Sequence, residues 1–224
     1  RAPPAGLHRL RVRLGGAASG LLERWVAEPG AGREDRYRVS GDTLEIVRES
    51  IRQTRAAPYR LPVRDTALAR WLEPEPLIQS RDPRIAAQAR LVLRGGRERN
   101  PVRATRLLTS WVHDHVRREP ATGVPSAQRV LESGHGDCND AATLFVALAR
   151  AAGLPSRTVA GLVYLDGRFY YHAWAEVLLG GWVAVDPTFD QFPADAGHIR
   201  FAVGGLARHV ELVPLIGRLT LEVL

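Results

Sequence analysis

The sequence predicts an α+β fold in which helices come first and an antiparallel sheet follows, with a small β-rich appendage at the amino terminus. Three observations carry this expectation. The strongest helical segment is Cys138–Ala152, stopped by Gly153 with Pro155 just beyond. After it, the apolar period falls from the helical value to two. Two turn signals, Asp166-Gly167 and Gly180-Gly181, then divide the chain into strands at Arg157–Leu165, Arg168–Leu178 and Trp182–Asp186.

Taken from the start, residues 1 to 66 read as the β-rich appendage, and residues 67 to 224 as the catalytic domain. Leu7–Leu14 alternates imperfectly, and Gly41-Asp42 opens a second candidate strand, Thr43–Arg48. Gly15-Gly16, Pro29-Gly30 and Gly32 punctuate the segment. Four prolines between Pro58 and Pro76 favour an extended connection. Asp82 can cap a helix that Pro83 begins, running to Arg94 and ended by Gly95-Gly96. Pro101 begins a second helix to about Arg118, with Leu107, Leu108, Trp111, Val112 and His115 close to one face. Ser126 starts a short third helix, broken by Gly134-His135-Gly136. Two more candidate strands, His209–Leu212 and Arg218–Leu224, close the chain.

The 224 residues are 45% hydrophobic and 25% charged, ordinary values for a folded chain. No run approaches the ~18 consecutive apolar residues of a membrane-spanning helix. The net charge is +7, and every basic residue is Arg. A polyanion-binding surface would gather these arginines into a cluster interleaved with aromatics. They are instead spread along the chain, which reads as a composition bias and argues against nucleic acid as a partner. A single Cys excludes an internal disulfide and a cysteine-based zinc finger. The chain has no Met and begins at Arg1, as a trimmed or processed product does, so the compartment, cytoplasmic or exported, is open.

Cys138 stands at the first turn of the central helix, directly after Gly136-Asp137. There a thiol meets the positive end of the helix dipole and unpaired backbone N–H groups, which favour the reactive thiolate and can hold an oxyanion. The competing reading is a buried structural thiol. A cysteine nucleophile needs a histidine base, itself oriented by a third polar group. His172 lies 34 residues on, in the middle strand, with Tyr170, Trp174 and Glu176 on the same side. Asp186 follows 14 residues later, at the end of the next strand. Folding the two strands about Gly180-Gly181 brings His172 and Asp186 near each other across the ladder.

Three separated motifs carry a resemblance. They are Gly136-Asp137-Cys138-Asn139-Asp140 with the run Leu144–Pro155, then His172-Ala173-Trp174-Ala175-Glu176-Val177, then Trp182-Val183-Ala184-Val185-Asp186-Pro187-Thr188. Over residues 80 to 200 the sequence closely resembles the transglutaminase-like superfamily core. The resemblance implies a papain-like fold, with nucleophile, base and orienting carboxylate falling on Cys138, His172 and Asp186. It implies a cysteine-dependent acyl-transfer enzyme that attacks an amide of a protein or peptide substrate. If water resolves the thioester the enzyme is a peptidase or amidase. A non-catalytic interaction module that kept the fold is the reading from another class.

For the oxyanion and the substrate the candidates are the Cys138 N–H, Gln128, Trp111, Asn139 and Trp174, although Trp111 and Trp174 also suit simple core packing. His135, three residues before Cys138, is a rival base on a Gly-flanked loop. His113 and His115 point about 200° apart on a helix and do not converge on a metal. With no phosphate loop, dinucleotide fingerprint or calcium loop, no cofactor is expected.

Overall fold

The computed structural model describes residues 6–16, 36–50, 58–120, 123–124, 126–205 and 219–224. Its centre is the helix α4 (Cys138–Ala151), which is buried from Asp140 to Arg150. A helix apolar on all sides is held by packing around its whole circumference. Here α1 (Pro83–Val92), α2 (Pro101–His115) and α3 (Ala127–Ser133) lie against it on one side, and the strands β6 (Ser156–Leu165) and β7 (Arg168–Leu178) on the other. Both ends are closed locally. Asp137 caps the amino end and Asp140 returns the bond, a reciprocal capping box. At the carboxyl end Gly153 takes a left-handed φ of 76°, and Leu154 N–H reaches back to Ala149 O, a Schellman closure.

β8 (Trp182–Val185) and β9 (His198–Val203) complete an antiparallel sheet in the order β8-β7-β6-β9. The Asp166-Gly167 turn forms as expected, both residues having positive φ, as a two-residue turn of this type requires. One apolar cluster joins Leu144, Phe145 and Leu148 of α4 to Ile85, Leu108, Val112 and Val130 of the outer helices and to Ala175, Val177, Val183 and Val185 of the sheet. Each such side chain is worth about 1.5–3 kcal/mol of burial, so this cluster dominates the stability of the domain.

A second antiparallel sheet has the order β10-β1-β3-β2. It comprises β1 (Arg9–Gly16), β2 (Tyr37–Ser40), β3 (Thr43–Val47) and β10 (Leu219–Val223). Leu10, Val12, Leu44 and Ile46 from it pack on Ala160, Ile199 and Phe201 of the first sheet. The carboxy-terminal strand therefore crosses the expected division at residue 66: β10 pairs with β1, Val12 opposite Val223.

Other elements also differ from expectation. α2 ends at His115 and not near Arg118, because Val116 is extended and Arg117–Arg118 (β4) pair with His135–Gly136 (β5). The proline-rich connection contains a 3₁₀ turn, Thr66–Trp71, capped by Asp65. β2 and β9 were not expected at all. The expected strand His209–Leu212, and Pro29-Gly30 and Gly32, lie outside the described residues.

Candidate active site

The capping box at the start of α4 engages the N–H groups of Asp137, Asn139 and Asp140. The Cys138 N–H, at the first helical position, is not among them. Gly136 is required by the same device: a Cβ there would lie 2.4 Å from Cβ of Asp140, whose carboxylate also pairs with Arg129. The glycine before the cysteine thus lets the loop close over the capping carboxylate, leaving Cys138 half-buried at the helix tip.

His172 presents Nε2 to Asp186 Oδ2 at 2.7 Å. Cys138 adjoins the same imidazole closely enough to help raise its pKa. The β7–β8 register places Ala175 opposite Val185. Asp186 is therefore diagonal to His172, one step beyond the paired positions, and its side chain spans the offset. The other Asp186 oxygen accepts the N–H groups of Thr188 at 2.7 Å and Phe189 at 3.2 Å. Burial alone would lower the His172 pKa, but the charge and hydrogen bond of Asp186, with Cys138, push it up to about 10. Burial would raise the carboxyl of Asp186, yet His172 and the bonds from His172 and His198 hold it well below the usual carboxylate range. The phenyl ring of Phe189 stacks on His172 at 5.0 Å, with the Arg118 guanidinium beyond it.

The remaining sequence candidates have particular places. The Asn139 carboxamide oxygen accepts from the Tyr171 hydroxyl at 3.0 Å, beside Cys138. Trp174 is fully buried and parallel to the His172 ring at 6.1 Å, behind it and away from solvent. Gln128 donates to Asp82 at 2.5 Å, which ties its amide to the start of α1. Trp111 stacks on His115 and packs against the helical core. His135 faces Glu119 at 3.0 Å, while it is His172 that bonds Asp186. His113 Nδ1 donates to Thr188 O, 3.1 Å away, and His115 Nε2 to Leu131 O, 3.0 Å away, so the two diverge.

One buried residue escaped the sequence reading. His198 places Nε2 2.9 Å from the same Asp186 oxygen that holds His172. The alternation of Ile199, Phe201 and Val203 signals its strand. His172, Asp186 and His198 bring donor atoms within 4.8 Å of one another, a spacing that suits a metal ion. Those atoms are already satisfied by one another, which makes the cluster a closed hydrogen-bond set.

A thiol at the tip of a buried helix, facing a His–Asp pair on an antiparallel sheet, is the architecture of the papain-like cysteine enzymes. Residues 89–187 match the sequence model of the transglutaminase-like superfamily. An uncharacterized protein of Haemophilus influenzae is 35% identical over 72 residues, a stretch covering 30% of this chain and 20% of that protein's length. The crystal structure of a candidate cysteine protease from Cytophaga hutchinsonii superposes with a TM-score of 0.59 at 16% identity, over 97% of this chain and 82% of its own; this is a likeness of fold. The periplasmic domain of TgpA from Pseudomonas aeruginosa aligns with a TM-score of 0.45 at 19% identity, over 85% of this chain and 93% of its own. Among the described residues, no helix is long and apolar enough to cross a membrane.

Proposed function

We propose that this protein is a cysteine acyl-transfer enzyme acting on an amide of a protein or peptide, with Cys138 as nucleophile, His172 as base and Asp186 as the orienting carboxylate. The observation that carries the reading is the 2.7 Å bond from His172 Nε2 to Asp186, on a buried imidazole whose pKa Cys138 also helps to raise. His172, its pKa pushed up to about 10, stands as the imidazolium that has received the thiol proton, and the Cys138 sulfur attacks the carbonyl carbon as the thiolate. The oxyanion that forms meets the Cys138 N–H at the positive end of α4. His172 then gives its proton to the leaving amine as the C–N bond breaks, leaving a thioester on Cys138. Water or a second amine, deprotonated by His172, attacks the thioester and frees the thiol.

Transfer and hydrolysis share every step but the last, so the acceptor decides between them. The fold likeness to a candidate protease supports the hydrolytic outcome. With no Lys in the chain, the enzyme offers no side-chain amine acceptor of its own. The test is a panel of glutamine-containing peptides incubated with and without an added primary amine and read by mass spectrometry. Amine incorporation in competition with hydrolysis marks a transferase, and hydrolysis alone marks a peptidase or amidase. Cys138→Ala removes both products; persistence of either in that variant contradicts the mechanism.

A further inference from the structure

We propose that His198 is a positioning residue that fixes the Asp186 carboxylate from behind and, through it, the ring of His172. The inference rests on the triad reading above and extends it by one member.

Asp186 Oδ2 accepts from two imidazoles, His172 at 2.7 Å and His198 at 2.9 Å. With Oδ1 held by the Thr188 and Phe189 N–H groups, neither oxygen is free to swing away from His172. His198 is itself clamped. Its Nδ1 lies 3.0 Å from Asp195 Oδ1 and 3.3 Å from Asp195 O, so each ring nitrogen faces an oxygen acceptor and is placed to donate. Asp195 is anchored in turn by the N–H groups of Gly197 and Leu7 and by Gln191. Tyr37 from β2 donates to the backbone oxygen of His198 at 3.1 Å. The ring meets Trp174 edge-on at 5.2 Å and is fully buried. A core position that needed only volume would not carry two nitrogens requiring two acidic partners, since each must be matched when buried. The arrangement is an outer partner that orients a reacting group's immediate neighbour.

Substitution by two amides separates the positioning role from a purely structural tie. Gln reaches the place of imidazole Nε2 and can still donate to Asp186, whereas Asn reaches only the Nδ1 side and Asp195. The probe is iodoacetamide alkylation of Cys138 in the full chain at pH 7, read by intact mass, with thermal unfolding and the imidazole ¹⁵N shifts of His172 recorded alongside. His198→Gln is expected to alkylate within about threefold of the parent, and His198→Asn to be slower by about tenfold or more, in the range found for such outer partners. The His172 shifts should move in the Asn variant and return in the Gln variant. Equal rates in the two folded variants, whether at the parent level or equally reduced, overturn the proposal. Asp195→Asn acts one bond further away and preserves shape; it is expected to slow alkylation in the same direction by a smaller factor, and an unchanged rate counts against the proposal even if His198→Asn does not fold. His172→Ala measured in parallel keeps the two readings apart. An unchanged rate there overturns the triad itself, while a slow His172→Ala beside an unaffected His198→Asn overturns only the role of His198.

Discussion

The His172–Asp186 pair is a charge pair withdrawn from water, and its consequences follow from the direction of each shift. His172 titrates near 10 when folded and near 6.5 when unfolded, so its contribution to stability is complete below about pH 6.5 and is lost as the pH climbs toward 10. Asp186 is held below its unfolded value of about 3.9, so its contribution is complete above that pH and is lost on acidification. Together they stabilise the fold most between about pH 4 and 6.5. Thermal unfolding of the parent and of His172→Gln across pH 4 to 10 should show the gap narrowing steadily above pH 6.5; a gap that widens with pH contradicts the pairing. Asp186→Asn keeps the shape and loses the charge. Its amide can donate to Nε2, which leaves the proton on Nδ1 and reverses the tautomer that Asp186 holds, and acyl-transfer activity should fall by about a hundredfold or more. Cys138, His172 and Asp186 were legible in the sequence because each sits beside a local signal: a helix start, a strand parity and a turn. His198 was not, because what makes it informative is Asp186, 12 residues away across an irregular loop. Gln128 shows the converse: ten residues from Cys138 along the chain, its amide is committed to Asp82 instead.

The elements most readable from sequence are those whose pattern runs for several turns or residue pairs, namely α4, β6 and β7. β9 is only six residues long and alternates apolar with charged or small side chains, so its signal was too short to stand out. Its position is nevertheless fixed by one residue of β6. At Gly161 the pairing with β9 shifts register, and a Cβ there would fall 1.9 Å from the Ile199 carbonyl oxygen. Only glycine allows so close a backbone approach. Gly161→Ala should therefore displace β9 and cost about 2 kcal/mol or more, measurable by urea unfolding. Because β9 carries His198, the same substitution should slow Cys138 alkylation. An unchanged midpoint would mean that the two strands separate at no cost, which the close approach does not permit.

At the scale of the molecule, the amino-terminal sheet is built against the rear of the site. Arg36 is buried and bonded to Glu49 at 2.5 Å, to Ala194 O at 3.1 Å and to Asp195 O, and Glu49 accepts the N–H of Ala184 at 3.1 Å. Nothing local in the sequence foretells the contacts of Arg36 with Ala194 and Asp195, which lie 158 and 159 positions away, or of Glu49 with Ala184, 135 positions away; the pairing of β1 with β10 is hidden for the same reason. Residues 1–66 were expected to lie beside the catalytic unit without contributing to the triad. Among the described residues of that segment, Leu7, Arg36 and Tyr37 hold the segment Ala194–His198 that backs Asp186. Arg36→Ala leaves a buried Glu49 and several carbonyl oxygens unpaired, and should cost about 3–5 kcal/mol. In a chain of this size that corresponds to a fall in melting temperature of about 6–20 °C, checked by calorimetry.

The central claim is that His172 activates Cys138, and the most direct measurement is the rate of iodoacetamide alkylation of Cys138 near pH 6.5 in the parent and in His172→Ala, each compared with N-acetylcysteine under the same conditions. The parent should react at least about tenfold faster than the free thiol, and His172→Ala should lose that advantage while remaining folded. A parent no faster than N-acetylcysteine, or a His172→Ala variant as fast as the parent, would contradict the account.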